Sequence, residues 1–285
     1  MNVFGLRSGR GISRRSLAVA AAFVGTVSLA IGAHAALNMR SPDAAKVAAV
    51  EQADNALRRP SRIALVIGNG HYPDANAPLT QPVNDARAVT AALRHEGFDV
   101  DVIEDASHDD MTRAVARLKS KVRSDSVVML FFGGYGIQVG RESFMIPVDA
   151  TIWKEADVRR EGVSVEAVLD AVKDFGACAK LVVLDASRRN PYERRFRTFS
   201  HGLAPITVPD NALILTSASP GAVADDSTGE NSVLVTELLS HINTKADRAR
   251  AAETIFNQTR VAISRASDGA QVPSVSSSLD RTSVV

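Results

Sequence analysis

Residues 126–136 read SVVMLFFGGYG. Val127–Phe132 is an unbroken apolar segment, too short for an ordinary helix and rich in β-branched and aromatic side chains. An apolar run of that length without alternation fits a strand buried on both faces, as in a parallel sheet covered by helices. Gly133 and Gly134 stop it, and Tyr135 is then set between glycines just past its end. VVLDASRRNP, 182–191, repeats the design: an apolar run ends at a small polar residue, Ser187, followed by basic side chains.

The flanking sequence alternates in kind. RIALVIG (62–68), KLVVLD (180–185) and NALILTSA (211–218) read as further strands of the same type, FDVDVIE (98–104) as a strand with period-two alternation, and SFMIPVD (143–149) as a short one. Pro82–Glu96 carries Val83, Ala86, Val89 and Leu93 at helical spacing and closes at Gly97. Ser107–Val122 opens with the capping box Ser107-x-x-Asp110, Ser164 caps a helix running to Phe175, and Ser232–Ile242 and Ala251–Ala266 are two more helices. Serine-rich though it is, the end of the chain leaves room for a final edge strand after Gln271-Val272-Pro273. Doubly apolar strands alternating with helices predict a three-layer α/β/α sandwich with a mostly parallel sheet. Ligands of such sheets sit beyond the carboxyl ends of the strands. That gathers Gly68-Asn69-Gly70, Gly133–Gly136, Asp185–Ser187 and Ser217–Ser219 into one candidate site.

Composition narrows the function. With 285 residues, 45% of them apolar and 23% charged, the chain has room for one large domain plus appendages. A net charge of +1 gives no field that would favour nucleic acid. The single cysteine, Cys178, excludes an intramolecular disulfide and reads as a core thiol entering a strand. Arg7, Arg10, Arg14 and Arg15 precede the apolar Leu17–Ala33, and Ala33-His34-Ala35 fits a signal-peptidase site. We read residues 1–35 as a signal peptide, with an uncleaved membrane anchor as the alternative, 36–60 as a helical spacer, and 61–285 as the domain. Ser13-Arg14-Arg15-Ser16-Leu17 also resembles a twin-arginine signal. The expected location is the periplasm or cell envelope.

Several chemistries are not supported. Pro73 interrupts the start of a dinucleotide fingerprint at Gly68-Asn69-Gly70, and there is no phosphate-cradling Gly-Lys-Ser/Thr loop. The six histidines show no paired metal spacing, and Ser187 is not in a Gly-x-Ser-x-Gly elbow. No cofactor or metal is expected.

The motifs together resemble the bacterial caspase-like cysteine peptidases, related to metacaspases. Arg62–Asn69 is similar to that family's opening strand, and Leu79 with Pro82-Val83-Asn84-Asp85-Ala86 to the start of its first helix. Phe132–Gly136 aligns with its Y-A-G-H-G, Met145–Asp149 with L-x-P-x-D, Asp185–Pro191 with D-A-C-R-x-N-P, and Gly202-Leu203-Ala204 with G-L-A. Ser217–Gly221 and Asn231–Leu239 resemble later family segments. The gap between Tyr135 and Ser187, 187 − 135 = 52, matches the separation of about 50 residues between histidine and cysteine in caspases.

The resemblance puts Tyr135 at the catalytic histidine's position and Ser187 at the nucleophilic cysteine's. Cysteine and histidine work as a pair near neutrality because their pKa values are about 8.5 and about 6.5. A phenol with a pKa of about 10 is a poor proton acceptor, and a serine without a base is unreactive. Losing one key member of a catalytic unit costs on the order of 10⁶ in turnover in a serine protease. The expectation is therefore a pseudoenzyme, with Tyr135 packed as a plug and Ser187 a small strand-end residue. The resemblance also implies that Asp85 and Asp185 line a pocket for Arg or Lys side chains, and that amides around Gly134 bind an oxyanion. Read locally, Asp85 is a first-turn helix carboxylate, Asp185 a strand-end acceptor, and Gly134 a turn glycine. His71, and more weakly His201, are candidates for a recruited base. Arg188, Arg189, Arg194, Arg195 and Arg197 read as a solvated basic loop. Expected partners are a peptide or protein presenting Arg or Lys, a second copy, or an active relative, with no nucleic acid. A residual Ser187 hydrolase and a structural envelope scaffold are the competing functions.

Overall fold

A computed structural model describes residues 60–75, 78–196, 201–224, 229–242 and 252–279. The expected signal segment and all but the last residue of the spacer lie outside them. Five parallel strands form the centre: β1 (Arg62–Gly68), β2 (Asp99–Glu104), β3 (Val127–Gly133), β7 (Ala179–Asp185) and β8 (Ala212–Thr216). A sixth, β9 (Ser274–Ser277), joins antiparallel to β8, so the spatial order is β2-β1-β3-β7-β8-β9. This is the expected edge strand after Pro273.

Apolarity on both faces has a direct consequence here, because alternate residues of each strand feed opposite cores. Leu65, Ile67, Leu130, Phe132 and Leu184 pack with α2 (His108–Lys121) and α4 (Val165–Asp174). Val66, Met129, Phe131, Val183 and Leu215 pack with α1 (Pro82–His95), α5 (Val233–Ile242) and α6 (Ala252–Ala266). The result is the three-layer α/β/α fold. The capping box at Ser107 is formed: its side chain accepts from the Asp110 N–H while Asp110 accepts from the Ser107 N–H.

Other parts differ from the expectation. SFMIPVD does not join the main sheet. β4 (Gly136–Val139), β5 (Glu142–Met145) and β6 (Val163–Ser164) form a separate antiparallel sheet, with α3 (Glu155–Glu161) between β5 and β6. This sheet builds a third core from Tyr72, Tyr135, Ile137, Phe144, Ile146 and Tyr192, just beyond the carboxyl edge of the main sheet. Cys178 is half-buried at the start of β7, not sealed in the core, and its thiol donates to the Asp125 carbonyl at 3.4 Å.

Candidate functional site

Because β1, β3, β7 and β8 are parallel neighbours, their carboxyl ends lie side by side, and the four expected loops form one edge. Hydrogen bonds join each loop to the next. The Asn69 N–H donates to the Gly133 carbonyl (2.8 Å), Gly134 N–H to Asp185 C=O (3.2 Å), and Ser217 N–H to Leu184 C=O (3.0 Å). The topological switch falls between β1 and β3, where such sheets open a crevice. Here Asn69 fills it. Its buried side chain accepts from the Ala106 N–H and donates to the Ile146 carbonyl at 3.2 Å.

Gly133 pairs with Asp185 in the β3–β7 register, so Tyr135 and Ser187 stand at the same step beyond that pair. The Gly136 N–H donates to the Ala186 carbonyl (3.0 Å), which locks the two turns together. Glycine is required at both flanking positions. A Cβ at Gly134, where φ is 156°, would lie 2.5 Å from the Tyr72 hydroxyl, and one at Gly136 would lie 2.7 Å from the Ala186 carbonyl oxygen. Tyr135 is buried, with its ring edge-on to Tyr72 at a centroid distance of 4.8 Å. Tyr72 holds the turn from below: its hydroxyl accepts from the Tyr135 N–H (3.1 Å) and donates to the Ile146 carbonyl (3.1 Å). Burial pushes this phenol well above its ordinary pKa, so it stays a neutral donor.

Ser187 is fully enclosed. Its N–H donates to Ser217 Oγ (3.3 Å) and its carbonyl accepts from the Ala224 N–H (2.6 Å), but its own hydroxyl makes no hydrogen bond among the described residues. Among the described residues no imidazole therefore stands in hydrogen-bond contact with Ser187 Oγ. His71 is exposed, with its N–H donating to Asp105 (2.9 Å), and His201 faces Glu193 (3.4 Å). The amides of Gly134, Gly136 and Ser187 are likewise taken, by Asp185, Ala186 and Ser217. None of these N–H groups is presented to an oxyanion in this arrangement.

Asp85 occupies the first turn of α1 and is buried. It also ties down the loop before α5, accepting from Asn231 Nδ2 (2.8 Å) and from the Ser232 N–H (3.0 Å). Burial, reinforced by the nearby Asp185 carboxylate and opposed by those hydrogen bonds, raises its pKa to about 6. Asp185 is buried in turn and forms an ion pair with Arg188 at 3.6 Å. The basic run is thus solvated only in part. Arg188 is sealed at 4% exposure, while Arg195 pairs with Asp74 (2.8 Å) and stacks over Trp153 and Tyr192. Arg189 and Arg194 do face solvent, and Arg197 lies outside the described residues.

Residues 61–284 match the family model for the caspase domain. The chain belongs to the caspase-domain family. It is also similar to the mucosa-associated lymphoid tissue lymphoma translocation protein 1 of Homo sapiens, with 28% identity over 134 residues. That match covers 46% of this chain and only 16% of the human protein.

Within this caspase domain, three contributors to the site went unread as such in the sequence. Tyr72 supports the Tyr135 turn through a contact 63 residues away, which no local pattern announces. Asn231 was read only as the first residue of a family-like segment, and its bond to Asp85 was not, since that partner is 146 residues distant. Arg188 did have one: it is the only arginine of its run placed directly after Ser187, between a strand end and the buried Asn190.

Proposed function

We propose that this caspase domain is a non-catalytic pseudo-peptidase that acts by binding a peptide or partner protein. The observation that carries the reading is Ser187, whose buried hydroxyl has no hydrogen-bond partner among the described residues and hence no general base there. At the facing position Tyr135 supplies a packed phenol ring in place of an imidazole. Such a hydroxyl is not activated, and with the neighbouring amides engaged by the chain itself, an oxyanion gains no preorganised donors. The retained acid pair, Asp85 and Asp185, supports a partner presenting Arg or Lys. The basic, apolar N-terminal segment supports action in the periplasm or cell envelope.

The test is peptidase activity of the full chain on Arg- and Lys-containing peptides, beside the double reversion Tyr135→His, Ser187→Cys. The natural protein is expected to show no turnover above background, and the reverted one to cleave after Arg or Lys. Turnover by the natural protein that Ser187→Ala abolishes would overturn the reading. Cell fractionation with mass spectrometry of the N-terminus tests the location: a processed protein in the envelope fraction is expected, and an unprocessed one in the cytosol contradicts it.

A further inference from the structure

Trp153, the chain's single tryptophan, lies between β5 and α3 and is 65% exposed, more than any other large apolar side chain among the described residues. The ring is nevertheless held. Arg195 stacks on it with the guanidinium carbon 4.7 Å from the ring centroid, and also lies over Tyr192 at 5.4 Å. That guanidinium is fixed in turn, donating to Asp74 Oδ2 (2.8 Å) and to the Ile152 carbonyl (2.5 Å), while Asp74 Oδ2 accepts from the Ile152 N–H (3.3 Å). The backbone N–H of Trp153 donates to Asp157 (3.1 Å). Three loops, following β1, β5 and β7, are thus cross-linked behind one face of the indole, and the opposite face is left to solvent.

A rigid, exposed indole is the kind of anchor that protein interfaces use, because little of its freedom remains to be lost when a partner arrives. The charges around it say what the partner carries. Asp74 is taken by Arg195, Asp157 by Arg160 and Glu193 by His201, and Glu155 is likewise engaged. Lys154 follows Trp153 in the chain and Arg194 precedes Arg195; both are exposed, and neither forms an ion pair among the described residues. A second cation on the free face would meet Arg195 across the ring, which disfavours Arg or Lys there. A bilayer is disfavoured for another reason: seating the indole in it would draw the partly exposed Arg195–Asp74 pair out of water.

We propose that Trp153 and Arg195, rimmed by Lys154 and Arg194, form a docking platform for a protein segment in which an aromatic or aliphatic side chain is flanked by Asp or Glu. The apolar side chain covers the free indole face, and the flanking carboxylates meet the two cations. None of these residues belongs to the acid pair, so the platform is a second recognition surface, independent of the non-catalytic reading.

The experiment titrates three peptides into the full chain: acetyl-Glu-Asp-Phe-Asp-Glu-amide, the same peptide with Ala for Phe, and the same peptide with Lys for every acid. The fluorescence of Trp153 reports binding directly, since the chain has no other tryptophan. The acidic phenylalanine peptide is expected to bind about ten-fold tighter than either control, with affinity falling as salt is raised. Charge reversal, Lys154→Glu with Arg194→Glu, is expected to transfer the preference to the lysine peptide. Trp153→Ala, followed by calorimetry, is expected to abolish binding; should that variant fail to fold, the charge-reversed one carries the test. Equal affinity for the three peptides, no binding of the acidic one, or binding that survives Trp153→Ala would each overturn the platform. So would a fluorescence change on phosphatidylglycerol vesicles with none on peptide, which would make the surface a membrane contact. All of these readouts are of binding, so each leaves the non-catalytic reading standing, and cleavage by the natural protein overturns that reading and not the platform.

Discussion

Phe131 in β3 and Ser187 beyond β7 are both completely buried, and both belong to the central strands or their immediate extensions. Phe131 belongs to an apolar core with Val66, Met129, Val183 and Leu215, and its strand is laddered to β1 and β7. Ser187 shares its loop with Asp185, Arg188 and Asn190, and Asp185 Oδ2, Ser187 Oγ and Asn190 Nδ2 make no hydrogen bond among the described residues. Among the described residues the side-chain polar atoms left incomplete on the sheet strands fall at its carboxyl edge, as at Asp185. The scaffold tolerates unmade bonds there because the strands below hold the loops in place.

The comparison breaks first where it is strongest. Phe131→Ala removes a buried ring from a core that cannot fully collapse, and should destabilise the domain by about 3–5 kcal/mol in urea unfolding. A loss under about 1 kcal/mol would mean that the interior is not close-packed.

The next largest effect belongs to the edge. The pKa of Asp85 is raised from 3.8 to about 6, so the folded state favours its protonated form. Its contribution is therefore fully present below about pH 4 and is lost as pH rises through about 6, a difference of about 3 kcal/mol. Asp185 is the charged neighbour that adds to the effect of burial on Asp85. Asp85→Asn should remove this component, making the variant's stability relative to the natural protein increase between pH 4 and pH 7. A constant difference across that range would show that Asp85 is as well satisfied as any surface acid.

The smallest predicted effect has the opposite sign from the first. Ser187→Ala deletes a buried hydroxyl that has no partner, and should be neutral or stabilising by about 1 kcal/mol. A destabilisation of 2 kcal/mol or more in the same urea measurement would mean that the hydroxyl is bonded in solution, and the contrast with Phe131 would narrow.

Much of this architecture was legible because burial on both faces leaves a plain mark. Val127–Phe132 and Lys180–Asp185 could be read as central strands since neither face needed polar residues, and helix starts followed from Ser107 and Ser164. The strands β4 and β6 are too short, at 4 and 2 residues, to show a period, so the small sheet went unseen until its partners were known. At the site, Tyr135 and Ser187 were visible by their place after strands. The state of the arginines was not, since an arginine run has the same local pattern whether water or a carboxylate receives it.

The sequence by itself determined the three layers, the order of the motifs along them, and the residue types at 135 and 187, because hydrophobic period and turn chemistry act over a few residues. Only the tertiary structure decided that Arg188 is sealed against Asp185, that Asp85 serves the loop before α5 147 residues away, and that the turn amides are already spent. Those outcomes turn on which distant groups share a desolvated space, and desolvation is a property of the assembled fold.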